Sequence, residues 1–179
     1  MIYKFRIVSD EMDDFRRDIL IDADSTFLQL KDAICEAIGY DPAQMSSFFI
    51  CDDNWEKKTE ITLEDMGAND MTNDLYVMND TALADLIDEE GQKLLFTFDY
   101  LTDRNLFLQL KETLPGQNID KAECVFSRGE APQQNVDLDD FESKLDAKNE
   151  SSIEMDEDFE GSDYDDEDLM GLDELSENY

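Results

Sequence analysis

The chain has 179 residues, of which 41% are hydrophobic and 10% aromatic, so a domain with a substantial core is expected rather than a wholly disordered chain. Its 48 acidic and 14 basic residues give a net charge of −34, and a field of this sign repels phosphate backbones and anionic lipid headgroups. Direct binding to nucleic acid or to a membrane surface is therefore not expected, whereas a basic protein is a natural partner.

The rare residue types narrow the chemistry further. The chain contains no histidine, which removes Ser-His-Asp and Cys-His arrangements and histidine-ligated metal sites. Its three cysteines form no Cys-x-x-Cys pair, so we expect three reduced thiols and neither a zinc site nor a disulfide. The N-terminus lacks the apolar run of a signal peptide, and no later stretch reaches membrane-spanning length, so the expected location is cytoplasmic.

The first third of the chain predicts three strands. Apolar and basic residues alternate over Ile2–Ser9, which is the pattern of a half-buried strand. An acidic, turn-rich stretch separates it from a second strand over Phe15–Asp22, and the pair is predicted to form a hairpin. A third strand is predicted over Ser47–Cys51.

A helix is predicted between the second and third strands. Thr26 and Gln29 have the spacing of a capping box, with Ser25 as the alternative cap, and Gly39 supplies a left-handed stop. Apolar residues recur on one face of this helix. The order strand, strand, helix, strand opens a β-grasp-like roll, in which the helix packs across the apolar face of the hairpin.

The middle of the chain is less regular. Residues 52–74 combine a short apolar cluster with several turn formers, and Leu75–Met78 predicts a short strand. A brief helix is predicted over Thr81–Glu90, with Asp80 as its cap and Gly91 at its end.

The clearest β pattern comes next. Alternating apolar residues predict strands over 94–100 and 106–110, joined by a turn at Thr102–Asp103, and a last strand around Cys124. The whole pattern predicts an α+β fold, a β-grasp-like roll with a mixed sheet of five to seven strands and two or three helices. This domain is predicted to span residues 1–136.

The C-terminal region changes character. Residues 137–148 predict a short helix or linker, and residues 149–179 carry 14 acidic side chains and no basic one. Such a segment cannot bury enough apolar area to offset its ordering entropy, so a disordered acidic tail is predicted. Without those 14 acids, residues 1–148 still have a net charge of −20, so the predicted domain is itself acidic.

One calcium-binding pattern falls in this tail. Acidic residues occupy positions 1, 3, 5 and 12 of an EF-hand-like loop (Asp156, Asp158, Glu160 and Glu167). Position 5 is Glu where Asp or Asn is usual, and no amphipathic helices flank the loop, so loose binding of divalent cations fits better than a formed site. No cofactor and no metal centre are predicted. The apolar residues among these acids are typical of docking segments, with a purely solubilising tail as the alternative.

Five residues of the domain are candidate contacts for a partner or ligand. Arg16 and Arg17 are adjacent in a strand and point to opposite faces, so one of them could bind an anion; pairing of both with local carboxylates is the alternative. Trp55 is expected in the core or as a lid over it, with ligand stacking as the alternative. Asp99 and Asp103 flank a turn, where solvated carboxylates are common. A small-molecule site near Trp55 and Arg17 is a further option.

Several short motifs together resemble the plasmid pRiA4b open-reading-frame-three-like family, a bacterial and archaeal family associated with transposon passengers. The resemblance runs from Ile2 to Val136. Its parts, in chain order, are Phe15-Arg16-Arg17-Asp18-Ile19, Ala23-Asp24-Ser25-Thr26-Phe27, Gly39-Tyr40-Asp41, Leu83-Ala84-Asp85-Leu86 with Gly91, Phe98-Asp99-Tyr100 with Asp103, and Gly129-Glu130-Ala131-Pro132.

The chain departs from this family at polar and aromatic positions. The family typically has Trp where Phe15 and Tyr40 stand, His where Lys31 and Met45 stand, and a Trp and a His within residues 105–108. The resemblance therefore implies a divergent member that has lost any histidine-dependent chemistry of the family.

Two functions of different classes follow. The favoured one is a non-enzymatic cytoplasmic interaction protein, whose acidic surface and tail engage a basic partner or mimic nucleic acid. The alternative is a carboxylate-dependent accessory enzyme of mobile-element origin that works without histidine. The sequence fixes neither the strand order nor the oligomeric state.

Overall fold

The computed structural model describes residues 1–65 and 75–135, and within them the chain forms one mixed sheet and two helices. The strands are β1 Ile2–Ser9, β2 Arg16–Asp22, β3 Ser47–Cys51, β4 Lys57–Thr62, β5 Tyr76–Val77, β6 Lys93–Asp99, β7 Arg104–Leu114 and β8 Glu123–Arg128. The helices are α1 Phe27–Ile38 and α2 Leu83–Leu86. The α+β class is confirmed.

The eight strands lie in the order β5-β4-β3-β6-β7-β1-β2-β8. Every neighbouring pair is antiparallel except β4 and β5, which are parallel. The predicted mixed sheet is thus confirmed, but the expected count of five to seven strands is wrong. The strand β1 pairs with both β2 and β7, so it lies inside the sheet. The two edges of the described sheet are β5 and β8.

The first hairpin and the first helix agree closely with the prediction from local sequence patterns. The predicted bounds of β1 are confirmed, and β2 begins one residue later than expected. The Thr26 hydroxyl accepts a hydrogen bond from the Gln29 N–H (3.3 Å), and the Gln29 side chain accepts one from the Thr26 N–H (2.8 Å). Gly39 has φ of 75°, the left-handed value expected at the end of this helix.

The core lies between α1 and one face of the sheet. Phe48 of β3 is fully buried between two other rings, with its centroid 5.5 Å from that of Phe27 and 4.9 Å from that of Phe96. Alternate residues of the inner strands point to this side (Phe5, Ile7, Ile19, Ile21, Leu94, Leu106, Leu108 and Leu110). Burying side chains of this size contributes about 1.5–3 kcal/mol each, so this layer dominates the stability.

The middle of the chain contains a strand that the sequence did not predict. Residues 57–62, within the stretch interpreted as irregular, form β4. Only Ile61 of this strand is fully buried, so its own pattern carries little periodicity. The strand exists because β3 offers it a ladder from Ser47 to Cys51, and such pairing is not visible locally.

The second helix is shorter than predicted. It spans Leu83–Leu86 rather than Thr81–Glu90, and its cap is Ala82, whose N–H donates to the Asp85 carboxylate (3.0 Å), rather than Asp80. At Ile87 the backbone turns extended, and the Ile87 carbonyl accepts a hydrogen bond from the Tyr3 hydroxyl (2.6 Å). This tertiary contact stops the helix before the acidic run that was assigned to it.

The predictions for the C-terminal region fall outside the described residues. These are the helix or linker over 137–148, the disordered tail over 149–179, and the calcium loop with Asp156, Asp158, Glu160 and Glu167. Met1–Asn135 forms one compact unit. Within the described ranges, no helix has both the length and the apolarity that crossing a bilayer requires.

We predict that Thr26→Ala lowers the free energy of unfolding by about 1 kcal/mol, because it removes the hydroxyl that accepts the hydrogen bond from the Gln29 N–H, whereas the bond from the backbone N–H of residue 26 to the Gln29 side chain remains. Urea denaturation measures the change. Ser25→Ala is the matched control, since it keeps the Thr26 cap, and it should change stability by less than about 0.5 kcal/mol. A larger loss for Ser25→Ala than for Thr26→Ala would move the cap to Ser25.

Candidate functional site

Arg17 anchors one end of the segment of residues 129–134, here named the strap segment. The guanidinium donates to the carbonyls of Arg128 (2.6 Å) and Gly129 (3.0 Å) from Nη1 and Nη2, and to that of Ala37 in the last turn of α1 (3.5 Å) from Nε. The Arg17 residue is only 7% exposed, and within the described residues no carboxylate forms an ion pair with it. Backbone dipoles, including the negative end of α1, therefore compensate this buried charge, together with the Phe15 ring, whose centroid lies 4.8 Å from the guanidinium.

Arg104 anchors the other end of the strap segment. Its Nη2 donates to the Gln133 carbonyl (2.8 Å), and its Nε and Nη2 form a bidentate pair with the Glu11 carboxylate (2.9 and 2.8 Å). Hydrogen bonding from the Arg104 guanidinium to the Glu11 carboxylate is the chief reason that the pKa of Arg104 lies above its ordinary value. The guanidinium also stacks 4.8 Å from the Phe98 ring.

Tyr40 and Asp41, just beyond the end of α1, hold the middle of the strap segment. The Tyr40 hydroxyl donates to the Pro132 carbonyl (2.6 Å), and burial raises the pKa of this phenol, so it stays a donor at physiological pH. The Gln134 side-chain amide makes a reciprocal pair with the Asp41 backbone at 2.7 and 3.0 Å. These contacts join residues more than ninety positions apart in the chain.

Gly129 lets the strap segment approach the β1–β2 turn closely. Its φ is 66°, and a Cβ atom added there would lie 2.5 Å from the Asp14 carbonyl oxygen. A side chain is excluded for both reasons. Beside it, the Arg128 guanidinium lies 3.0 Å from the Asp14 carboxylate.

A cleft of about 430 Å³ opens between the strap segment and the end of α1. Its polar lining consists of Arg17, Tyr40, Glu130, Gln133 and Gln134. These groups supply hydrogen-bond donors and acceptors, and they include one cation (Arg17) and one anion (Glu130). The lining contains no thiol and no serine hydroxyl. Donors and acceptors of this kind can hydrogen-bond a polar segment.

The two adjacent arginines have different roles. Arg16 lies on the other face of the sheet, where its Nη2 is 2.9 Å from the Asp18 carboxylate and its guanidinium is 4.6 Å from the Phe126 ring. Burial by itself would raise the pKa of Asp18, but the hydrogen bonds and charges of Arg16 and Arg6 outweigh it and lower this pKa. Carboxylate pairing, the alternative for both arginines, thus holds for Arg16 only.

Trp55 and Arg17 do not share a site. Trp55 packs edge-on against Phe107 (5.0 Å), and the Lys93 ammonium lies 5.2 Å from its ring. Phe107 faces away from the core that α1 covers, so the half-buried indole covers the opposite face of the sheet from the Arg17 guanidinium. Trp55 also has φ of 64°, a conformation that costs a non-glycine residue about 1 kcal/mol or more.

Asp99 and Asp103 both have structural partners at the β6–β7 turn. The Asp99 carboxylate accepts hydrogen bonds from the Leu101 N–H (3.0 Å) and the Thr102 hydroxyl (2.8 Å). The Asp103 carboxylate pairs with the Lys57 ammonium at 2.7 Å, and this hydrogen bond lowers the pKa of Asp103. Across the described residues, no three cysteine, aspartate or glutamate side chains form a group that could hold a metal ion.

Sequence reasoning did not single out Arg104, Glu11 or the strap segment as parts of one site. Their partners are mostly backbone carbonyls, which every residue possesses, so the pairing leaves no motif. Two signals were available. The family-like motifs include Arg17, Tyr40 and Gly129, and basic residues are scarce, so each of only 14 cations in this acidic chain is a candidate for a specific contact.

The motifs quoted for the family resemblance fall into two contact groups. In the first, the N–H groups of Leu83 and Ala84 donate to the carbonyls of Ser25 (2.8 Å) and Ala23 (3.0 Å), which joins the helix entry to α2. In the second, Arg17, Tyr40 and Phe98 surround the strap segment, with the Tyr40 and Phe98 rings 5.2 Å apart. Two of the positions that depart from the family belong to the second group: Tyr40, and Phe15, whose ring lies 4.8 Å from the Arg17 guanidinium.

Comparison with known proteins gives a family and a fold. The plasmid pRiA4b ORF-3-like protein family matches residues 2–170, beyond the end of the resemblance at Val136. The crystal structure of a protein of unknown function from Methanosarcina mazei Go1 superposes with a TM-score of 0.58 at 17% identity. The alignment covers 93% of this chain and 96% of that one, and at this identity it shows a shared fold alone. None of the curated proteins matches.

We predict that Gly129→Ala lowers the free energy of unfolding by more than about 2 kcal/mol, because it adds a steric clash to the cost of a left-handed alanine. Gly116→Ala is the matched control. Gly116 has φ of 74° but nothing within 4 Å of its added Cβ, so only the backbone cost of about 1 kcal/mol applies. Equal losses in urea denaturation would show that the strap segment is not held against Asp14.

We also predict that one of the three thiols reacts quickly with a disulfide reagent at pH 8. Burial raises the pKa of both Cys35 and Cys51 to about 11, so only about one in a thousand of these groups is a thiolate at that pH, whereas Cys124 is exposed. Absorbance of the released thiol counts the reactive groups, and denaturant should expose all three. Fast reaction of Cys35 or Cys51 in the native protein would contradict their burial.

Proposed function

The chain belongs to the plasmid pRiA4b ORF-3-like protein family, and we propose that it is a non-enzymatic cytoplasmic interaction protein whose acidic surface binds a basic partner. The observation that carries this proposal is the charge of the described domain. Residues 1–65 and 75–135 contain 27 acidic and 12 basic side chains. The excess of carboxylates is thus a property of the folded surface, not of the C-terminal region alone.

Most cations of the domain are already compensated, so they do not offset this excess. Ion pairs with carboxylates engage Lys4, Arg6, Arg16, Lys31, Lys57, Lys58, Arg104, Lys121 and Arg128. Of the three buried cations, Lys31 is among these pairs, whereas Arg17 and Lys93 donate to backbone carbonyls instead. A partner therefore meets a surface whose free charges are mostly negative, and such a field attracts Lys and Arg side chains.

Carboxylates are concentrated beside the cleft. The β1–β2 turn exposes Asp10, Glu11, Asp13 and Asp14, and Glu130 lies on the cleft wall itself. Of these, Glu11 and Asp14 pair with Arg104 and Arg128. We propose that this rim and the cleft form the docking site for a basic segment, whose backbone the Gln133 and Gln134 side chains can hydrogen-bond.

Residues 149–179 extend the proposed role. Their 14 carboxylates add to the field of the domain, and a string of such charges resembles a phosphate backbone in sign. Mimicry of nucleic acid is the narrower form of the proposal, in which the basic partner is itself a nucleic-acid-binding protein.

The carboxylate-dependent enzyme requires a general acid or base with a raised pKa. In the described ranges every resolved shift of a carboxyl pKa is downward, for Asp18, Asp52, Glu90 and Asp103, and each reflects hydrogen bonding to the ionised form. No specific observation therefore favours this alternative.

For the fold, we propose the β-grasp-like roll, supported by α1 packing across β2 after the first hairpin.

We predict that the immobilised full chain retains basic proteins from a cell lysate, and that a chain lacking residues 149–179 retains fewer of them, because 14 carboxylates are lost. Retention should fall between 0.05 and 0.5 M salt as screening increases. Equal, empty lanes for both chains would contradict the proposal.

A second measurement locates the docking site. Titration with an octa-arginine peptide compares Asp10→Asn/Glu130→Gln, which removes two carboxylates beside the cleft, with Asp88→Asn/Glu89→Gln, which removes two on the α2–β6 connection. The first variant should bind several-fold more weakly than the second, since charges nearer the docked peptide contribute more. Equal affinities would place the docking site elsewhere.

A further inference from the structure

Within residues 1–65 and 75–135, no strand pairs with the outer edge of β8. The strand β8 is the last strand of the sheet, and among the described strands it pairs with β2 only. All six of its residues are exposed, including Val125 at 50% and Phe126 at 40%. An edge strand with exposed apolar side chains is a template on which another strand can form.

A β-bulge sets which side chains of β8 share a face. Glu123 lies opposite Leu20 and Arg128 lies opposite Arg16, with one extra β8 residue accommodated between the partners of Asp18 and Ile19. Because Leu20 and Arg16 are four residues apart on a regular strand, Glu123 and Arg128 lie on the same face although they are five apart. In a regular strand these two side chains would point to opposite faces.

The same bulge places two further residues on the other face. Cys124 lies opposite Ile19 and Ser127 lies opposite Arg17, and both of these β2 residues face the core. The six residues of β8 thus form a pattern that is symmetrical about the Val125-Phe126 bond. Glu123 and Arg128 lie at the two ends of β8 on one face. Cys124 and Ser127, each one residue further in, lie on the other face.

We propose that β8 pairs antiparallel with β8 of a second copy of this chain, joining the two sheets across a two-fold axis. In this register Glu123 of each copy faces Arg128 of the other, and Cys124 faces Ser127. At the two-fold axis, Val125 of each copy faces Phe126 of the other. Directly opposite residues in an antiparallel pair share a face, and the bulge makes the Glu123–Arg128 and Cys124–Ser127 pairs do so. An interface of this kind is isologous and closed, so assembly stops at the dimer.

Charge complementarity argues for a second copy rather than another strand. The proposed register forms two Glu–Arg cross-strand pairs, and opposite charges directly across a ladder stabilise it, whereas like charges destabilise it. The Arg16 guanidinium over the Phe126 ring and the Asp14 carboxylate beside Arg128 remain in place.

The size of the edge sets the strength of the dimer. Six residues a side bury less than the roughly 1,600 Å² of a standard interface, and two chains of charge −34 repel each other. A concentration-dependent equilibrium is therefore expected, with a Kd between about 1 µM and 1 mM. Sedimentation velocity of the full chain measures it.

Disulfide trapping tests the register. In Ser127→Cys the new thiol should face Cys124 of the other copy, at a separation of about 4.5–5.5 Å between Cα atoms that a disulfide can bridge. Within one strand the same two residues are about 10 Å apart and cannot be bridged. The expected result is a covalent dimer for Ser127→Cys on mild oxidation, and none for the wild type or for Ser127→Cys combined with Cys124→Ser. A wild-type dimer linked through Cys124 alone would overturn the register.

Charge exchange tests the pairing independently of folding. Glu123→Arg and Arg128→Glu should each weaken the dimer by roughly tenfold, because each turns two attractive pairs into repulsive ones. The double exchange should restore the wild-type Kd. Asp88→Arg, which makes the same change in net charge far from β8, should leave the dimer as strong as the wild type or strengthen it. A wild-type chain that stays monomeric at about 1 mM, or a Kd unaffected by Glu123→Arg, would overturn the proposal.

Discussion

The structure depends on a buried guanidinium that has no counter-ion among the described residues. Arg17 donates to carbonyls of β2, of the last turn of α1 and of the chain that leaves β8, so one side chain fixes three elements. Burying an uncompensated charge is costly, and only a complete set of acceptors makes it tolerable. The strap segment therefore has little freedom to move away: each carbonyl that it withdraws would leave a buried N–H without a partner.

This constraint connects the two proposed surfaces. The strap segment follows β8 without interruption, and Arg17 holds the carbonyls of both Arg128 and Gly129. The cleft that we propose for a basic partner and the edge that we propose for a second copy are thus positioned by the same contact. A dimer through β8 would bring two strap segments, with their acidic rims, towards one axis. A basic partner with two binding segments could then engage both, and its avidity would exceed that of either cleft.

What could be predicted from the sequence was local. The capping box at Thr26 and the alternation of β1 are read within a few residues, and both are confirmed. The strand β4 was missed because only Ile61 is fully buried, so its existence depends on pairing with β3. Part of the strap segment was quoted as a family motif, but its contacts were missed for a different reason: Arg17 and Arg104 bind carbonyls of residues far along the chain, and backbone acceptors carry no signature in the sequence.

The packing of the Trp55 side chain has a consequence for spectroscopy. It is the only tryptophan, and its indole is held against Phe107 and the Lys93 ammonium at the end of the β3–β4 hairpin. Intrinsic emission of the native protein therefore reports on that hairpin and on the face of the sheet that α1 does not cover. The indole contacts neither the strap segment nor β8, so opening of either would leave the emission spectrum unchanged. A fluorescent probe attached at Cys124 would be needed to detect such opening.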